Sequence, residues 1–146
     1  MALSDGQHAV ICGNIGKPVM ESLIDDADLY IVEISSYQLD YTNNLNLLTG
    51  VVTNISPDHL DRYPDFDTYK KSKLSLYSYC AINIVNLNEP LVNKIKSDSC
   101  YVIDESEFNC EFGAKKDGDS YNFFHNKNVL MSSDELMIVG RHNVEN

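Results

Sequence analysis

Three short apolar runs in the first sixty residues end in polar groups suited to phosphates and metal ions. Ala9-Val10-Ile11-Cys12 leads into Gly13-Asn14-Ile15-Gly16-Lys17-Pro18. Leu29-Tyr30-Ile31-Val32 leads into Glu33-Ile34-Ser35-Ser36-Tyr37-Gln38, and a third run from Val51 leads into Asn54-Ile55-Ser56-Pro57-Asp58-His59. Each ending has an ordinary and a chemical reading. Gly-Asn-Ile-Gly suits a tight turn, because Gly and Asn accept unusual backbone angles, or a site with bare N–H groups and a ligand-facing Asn14 amide. Glu33 is a carboxylate leaving the core for water or a hard oxygen ligand for magnesium. Ser35 and Ser36 are turn or cap residues, or hydroxyl donors to a phosphate. His59, in the charged setting Asp58-His59-Leu60-Asp61-Arg62, is a structural histidine or a catalytic one.

A fourth group is basic. Residues 1–61 hold nine acids and only Lys17, whereas Arg62, Lys70, Lys71 and Lys73 fall within twelve residues. Lys70 and Lys71 read as a solvated helix face. Lys73 differs, because Phe66, Tyr69, Lys73, Leu76, Tyr77 and Cys80 recur at helical spacing and place it within the apolar stripe. A lysine aimed inward requires a reason.

Positioning these groups calls for parallel strands, since ligands of open α/β sheets gather outside the carboxyl ends of the strands. The pattern predicts strands near Ala9–Cys12, Leu29–Ile34, Val51–Asn54, Ala81–Val85 and Cys100–Ile103. Helices are expected at Pro18–Ile24, at Asp67–Tyr79 with Asp67 as its cap, and at Glu89–Lys96. Parallel pairing would bring Asn14, Glu33, both serines and His59 to one rim. After Glu107 the helical period fades. Glu111–Gly113, Tyr121–Phe124 and Leu136–Val139 then read as an antiparallel meander around turns at Lys116–Asp119 and His125–Asn128. The fold class is α/β, a mostly parallel sheet flanked by helices.

Composition narrows the function. With 146 residues, 43% hydrophobic and 23% charged, the chain has the size and make-up of one globular domain. Its formal charge of -11 opposes binding to nucleic acid or an anionic membrane, so polyanions would need a metal ion to be held here. Cys12, Cys80, Cys100 and Cys110 lack C-x-x-C spacing, which argues for reduced thiols and against a zinc ribbon or redox dithiol. No apolar stretch reaches the roughly 20 residues of a membrane span, and no signal peptide is evident, so a cytoplasmic protein is expected. A G-x-x-x-x-G-K-[ST] loop is missing, because Gly16-Lys17 is followed by Pro18 and preceded five positions earlier by Ile11.

Taken together, Gly13–Gly16, Glu33–Leu39, Asn54–Pro64 and Lys73–Tyr77 resemble the Mur ligase family in order and spacing. The likeness is greatest to its D-glutamate-adding branch. Gly140-Arg141-His142-Asn143-Val144-Glu145-Asn146 is similar to the Gly-x-His-Asn-x-x-Asn segment that closes the family's P-loop NTPase-like central domain. The resemblance implies that residues 1–146 are this ATP-binding domain without its P-loop, with the UDP-binding and C-terminal domains absent. It implies a reaction in which ATP phosphorylates UDP-N-acetylmuramoyl-L-alanine and the D-glutamate amine attacks the acyl phosphate, in peptidoglycan precursor synthesis. Two Mg2+ ions are expected, with Glu33 a ligand of one and His59 of the other. Lys73 falls where the family carries a carbamylated lysine that helps bind the second ion. By the same resemblance Asn14, Ser35 and Ser36 contact substrate, and Asn143 and Asn146 contact nucleotide. The chain alone is expected to be inactive, and its unpaired sheet edge to favour self-association. Two other readings stay open: a non-catalytic UDP-sugar or protein-binding module of the same fold, and a sibling ligase adding a different amino acid.

Overall fold

The computed structural model describes residues 6–24, 26–103, 110–136 and 144. The chain forms two compact units, Met1–Thr42 and Asn43–Asn146. In the first, β1 (Ala9–Gly13) and β2 (Leu29–Glu33) pair in parallel, Ala9 facing Leu29 and Gly13 facing Glu33. Between them lies one helical turn, α1 (Val19–Ser22), shorter than the pattern predicts. Pro18 stands just before it as the cap, and the Ser22 hydroxyl donates to the Pro18 carbonyl at 3.0 Å. The helix α2 (Ser36–Asp40) follows β2 and was not expected from the sequence.

The second unit is a six-stranded sheet ordered β3-β4-β5-β6-β7-β8. Its parallel part comprises β3 (Leu47–Val52), β4 (Cys80–Asn86), β5 (Ser99–Ile103) and β6 (Phe112–Asp117). Antiparallel β7 (Ser120–His125) and β8 (Asn128–Ser132) complete it, so the α/β class with a closing meander is the observed architecture. β3 begins earlier than expected because Leu47 already pairs with Cys80.

Local chemistry explains the other departures. The helix after β3 is α3 (Phe66–Leu74), continued by a 3-10 segment, Ser75–Tyr79. Ser75 and Ser78 hydroxyls each donate to a carbonyl three residues back at 2.7 Å, which favours the tighter winding. Its cap is Asp65 and not Asp67: Asp65 is extended, and its side chain accepts from the Thr68 N–H. Asp67 lies in the first turn and pairs with Lys70 at 2.6 Å. Glu89–Lys96 forms turns instead of a regular helix. Because Ser99 faces Ile84, the chain leaving Asn86 backtracks only about 7 Å, less than the roughly 12 Å rise of an eight-residue helix.

In the meander, Gly118-Asp119 makes a two-residue turn with positive φ at Gly118. The turn Asn126-Lys127 has positive φ at both residues, the type I′ geometry that matches strand twist. That turn is so short that the next strand restarts at Asn128, which adds β8 as a strand that the pattern did not predict. Leu136 follows a short 3-10 turn (Ser133–Glu135), and residues 137–139 lie outside the described residues.

The core of the second unit centres on Val85, Val92 and Val102, each at most 1% exposed and each contributing about 1.5–3 kcal/mol through burial. Ile103, Ala114 and Tyr121 form a further cluster on which Tyr101, Phe123 and Val144 pack. In the first unit the tightest point is Gly13, at φ +119, where a Cβ would run into the Glu33 carbonyl oxygen. Gly13→Ala should therefore destabilise the chain by about 2 kcal/mol or more, read as a lower urea midpoint, with loss of β1–β2 amide protection in hydrogen exchange.

Candidate active site

At the carboxyl end of β1 the chain folds back, the Gly13 N–H donating to the Lys17 carbonyl at 3.0 Å. The neighbouring Asn14 N–H donates to the Glu33 carbonyl at 2.8 Å, so Asn14 and Glu33 are adjacent at one rim. Both residues are exposed. Glu33 thus offers a solvent-facing carboxylate beside the Gly-Asn-Ile-Gly turn. The serines that follow are differently engaged. Ser35 caps α2 in a capping box: its Oγ accepts from the Gln38 N–H at 3.2 Å, and the Gln38 side chain accepts from the Ser35 N–H at 2.9 Å. Ser36 is 2% exposed.

His59 and Lys73 lie in the second unit, both next to a buried aromatic ring. Tyr69, 5% exposed, packs edge-on to His59 at 5.9 Å between ring centroids, and the Lys73 Nζ is 6.0 Å from the same centroid. Tyr63 packs against Tyr69 at 5.4 Å, and its hydroxyl donates to Ser72 Oγ at 3.3 Å. Helix α3 thereby delivers a half-buried lysine, and the loop after β3 a histidine, to one aromatic wall. The Lys73 position agrees with the inward-facing stripe read from the sequence.

His59 has φ 56, the left-handed region, and the other two non-glycine residues with positive φ among those described form the Asn126-Lys127 hairpin turn. No hairpin accounts for His59. Its geometry is held by Asp58, whose carboxylate accepts from the His59 N–H at 2.7 Å and lies 3.6 Å from the ring Nε2. The Arg62 and Tyr63 N–H groups donate to the His59 carbonyl, each at 3.0 Å, closing the turn. Of the remaining cations, Lys71 is exposed, as expected of a solvated face, whereas Lys70 is half-buried and pairs with Asp67, and Arg62 lies 6.0 Å from the Tyr63 ring centroid.

Within the second unit, the strand ends depend on residues that the pattern assigns to the approach to a helix. The buried Asn86 amide donates to the Thr53 carbonyl at 2.8 Å, and Asn88 bonds both the N–H and the carbonyl of Ile103. The Glu89 carboxylate accepts from the Ile55 N–H at 3.2 Å and the Leu91 N–H at 3.1 Å. This run ties together the ends of β3, β4 and β5 and anchors the loop leading to His59. The signal was available: Asn86-Leu87-Asn88-Glu89 is a fourth polar ending on an apolar strand.

Among the described residues, no three His, Cys, Asp or Glu side chains converge as a metal cage. Magnesium does not require one, since it binds through one or two carboxylates with waters and phosphates. The exposed Glu33 carboxylate fits that demand, and Lys73 would do so only as its carbamate, which supplies oxygens in place of an ammonium. Asn143 and Asn146 lie outside the described residues.

A family model described as the Mur ligase middle domain matches residues 15–146. The chain belongs to the Mur ligase family. Its resemblance to the D-glutamate-adding Mur ligases is equally direct. It is 40% identical to the UDP-N-acetylmuramoylalanine--D-glutamate ligase of Buchnera aphidicola subsp. Acyrthosiphon pisum, aligning over 100% of this chain and 34% of that protein. The Marinobacter nauticus protein of the same name is 37% identical over 100% of this chain and 33% of its own length. The chain thus spans about a third of these Mur ligases. The Thermotoga maritima UDP-N-acetylmuramate-alanine ligase MurC, at 12% identity, matches with a TM-score of 0.53 over 98% of this chain and 40% of that one, a likeness of fold.

Presentation of Lys73 in this Mur ligase domain depends on the α3 cap. Thr68, through its hydroxyl and then its N–H, holds the Asp65 carboxyl below its ordinary value of 3.8. A carboxyl lowered on folding stabilises the fold at pH above its unfolded value, and that contribution is lost as pH falls through the folded value. Asp65→Ala should melt below the unsubstituted chain at neutral pH, and the gap should close as pH drops below about 4, seen in thermal melts across that range.

Proposed function

We propose that this chain is the ATP-handling middle domain of a ligase that joins D-glutamate to UDP-N-acetylmuramoyl-L-alanine in peptidoglycan precursor synthesis. The convergence of His59 and Lys73 on the Tyr69 ring carries the reading, because a binding module has no need of a sheltered lysine beside a strained histidine. The names and full-chain alignment of the relatives support the same amino-acid choice.

In this reading the terminal phosphoryl group of ATP passes to the carboxylate of UDP-N-acetylmuramoyl-L-alanine, leaving ADP and an acyl phosphate. The D-glutamate amine then attacks the acyl carbon, phosphate departs, and the amine loses a proton as the amide forms. Magnesium, when bound, supplies neutralisation of the phosphate charges. Glu33 would hold the ion at the phosphates, and His59 with carbamylated Lys73 the ion near the acyl phosphate. Carbamylation requires the Lys73 amine to be transiently neutral: its nitrogen bonds to the carbon of carbon dioxide, and a proton leaves, turning a cation into an anion. The half-buried setting against Tyr69 shelters that group from bulk water. Asn14, exposed at the same rim as Glu33, would contact the substrate, with Ser35 and Ser36 beside it setting the course of the chain. Asn143 and Asn146 would contact the nucleotide.

A chimera tests this directly. Residues 15–146 placed in the matching segment of the Buchnera ligase should support ADP release that requires both UDP-N-acetylmuramoyl-L-alanine and D-glutamate. Lys73→Arg and His59→Ala should each lower kcat about 100-fold or more. Lys73→Arg should also abolish a carbamate carbon signal from labelled bicarbonate in NMR spectra. Unchanged kcat in Lys73→Arg would exclude the assigned role, and ADP release requiring another amino acid would transfer the chain to a sibling ligase.

A further inference from the structure

The four cysteines are separated widely in the sequence, and the fold changes what two of them can do. Cys100 lies on β5, and Cys110 lies two residues before β6, with nine residues between them. Parallel pairing sets Tyr101 opposite Phe112, so the chain entering β6 runs beside the start of β5. The two sulfurs face each other at 2.6 Å. Neighbouring bonds hold the approach from both sides. The Ser99 hydroxyl donates to Glu111 Oε2 at 3.2 Å, and the β5–β6 ladder begins one residue later. Joining the sulfurs therefore asks for little backbone movement.

The other two thiols are poorly placed for the same chemistry. Cys12 is completely buried in the first unit. Cys80 donates to the Leu76 carbonyl at 3.2 Å, and burial pushes its thiol pKa up, which disfavours the reactive thiolate. Cys100 and Cys110 are only half-buried, open to a small reagent.

We propose that Cys100 and Cys110 form a modification site, a dithiol that exchanges with low-molecular-weight disulfides to close a reversible bridge between β5 and the entry to β6. One cysteine thiolate attacks a sulfur of the small disulfide, giving a mixed disulfide and one released thiol. The second cysteine thiolate then displaces the other small thiol. One S–S bond is formed in the protein and one is broken in the reagent, which accepts the two electrons, and the two cysteine protons end on the released thiols. The bridge ties the parallel part of the sheet to its meander, because β6 is the strand shared by both. This inference does not depend on the ligase reaction.

The test uses the 146-residue chain and oxidised glutathione as the reagent, with alkylation of the remaining thiols and peptide mass mapping. Two of the four thiols should be lost to alkylation, a Cys100–Cys110 linked peptide should appear, and an excess of reduced dithiol should restore both. Cys100→Ser and Cys110→Ser should each leave the surviving partner as a glutathione adduct with no internal bridge. Retention of all four thiols under excess oxidised glutathione, stable adducts on both cysteines, or a bridge to Cys12 or Cys80 would overturn the proposal. The mapping on the unsubstituted chain decides the matter even where a serine variant does not fold.

Discussion

A parallel ladder leaves backbone N–H and carbonyl groups without strand partners where each strand ends, and burying such groups unpaired costs about 1–3 kcal/mol apiece. Each of the two units meets that constraint at the carboxyl ends of its own strands. In the first unit the Asn14 N–H crosses to the Glu33 carbonyl, and Ser35 with Gln38 closes the helix start. In the second, Asn86, Asn88 and Glu89 satisfy Thr53, Ile103 and Ile55. Side chains committed to these bonds set the loops, and in the first unit Asn14 and Glu33 stay exposed beside them. The same physical need that ends the strands therefore sets the polar loops that follow them.

The His59 and Lys73 pair follows a different rule. A long cation cannot be pointed into an apolar interior without compensation, and the Tyr69 ring face supplies a partial one through its quadrupole. That ring is fixed by Tyr63, whose hydroxyl reaches Ser72 one turn further along α3. Helix α3 and the His59 turn are thus locked together by aromatic packing, and left-handed backbone at His59 persists because its surroundings over-determine it.

Periodicity made the α/β class, the strands and the meander readable, since alternation and apolar runs are properties of burial. It also placed Lys73 correctly, because one helical stripe containing five apolar residues leaves little choice of face. What failed was set by tertiary geometry or by competing local bonds. Glu89–Lys96 has a helical pattern, yet the short return to β5 needs only turns. Asp65 and Asp67 are both credible caps, and only the extended backbone at Asp65 decides between them. β8 was hidden because Asn126-Lys127 lacks the glycine usual in a type I′ turn, so the strand after it looked like more loop. Residue types could nominate Asn14 and Glu33 in the first unit and His59 in the second, but Tyr69 and Glu89 act through packing and backbone bonds that no residue type announces.

The charge distribution has a physical consequence for the site. Nine acids against one lysine in residues 1–61 would repel a polyphosphate. Exposed carboxylates such as Glu33 can tolerate phosphates only when a divalent cation lies between them, because at a separation near 4 Å two like charges repel by about 1 to 4 kcal/mol in a surface dielectric. Within the second unit, Lys70 is paired with Asp67 and Lys73 is turned toward Tyr69. In the proposed reaction, phosphate binding beside Glu33 would therefore be conditional on the metal. Converting Lys73 to an anion would extend the same logic, replacing a cation that repels magnesium with oxygens that can help hold it.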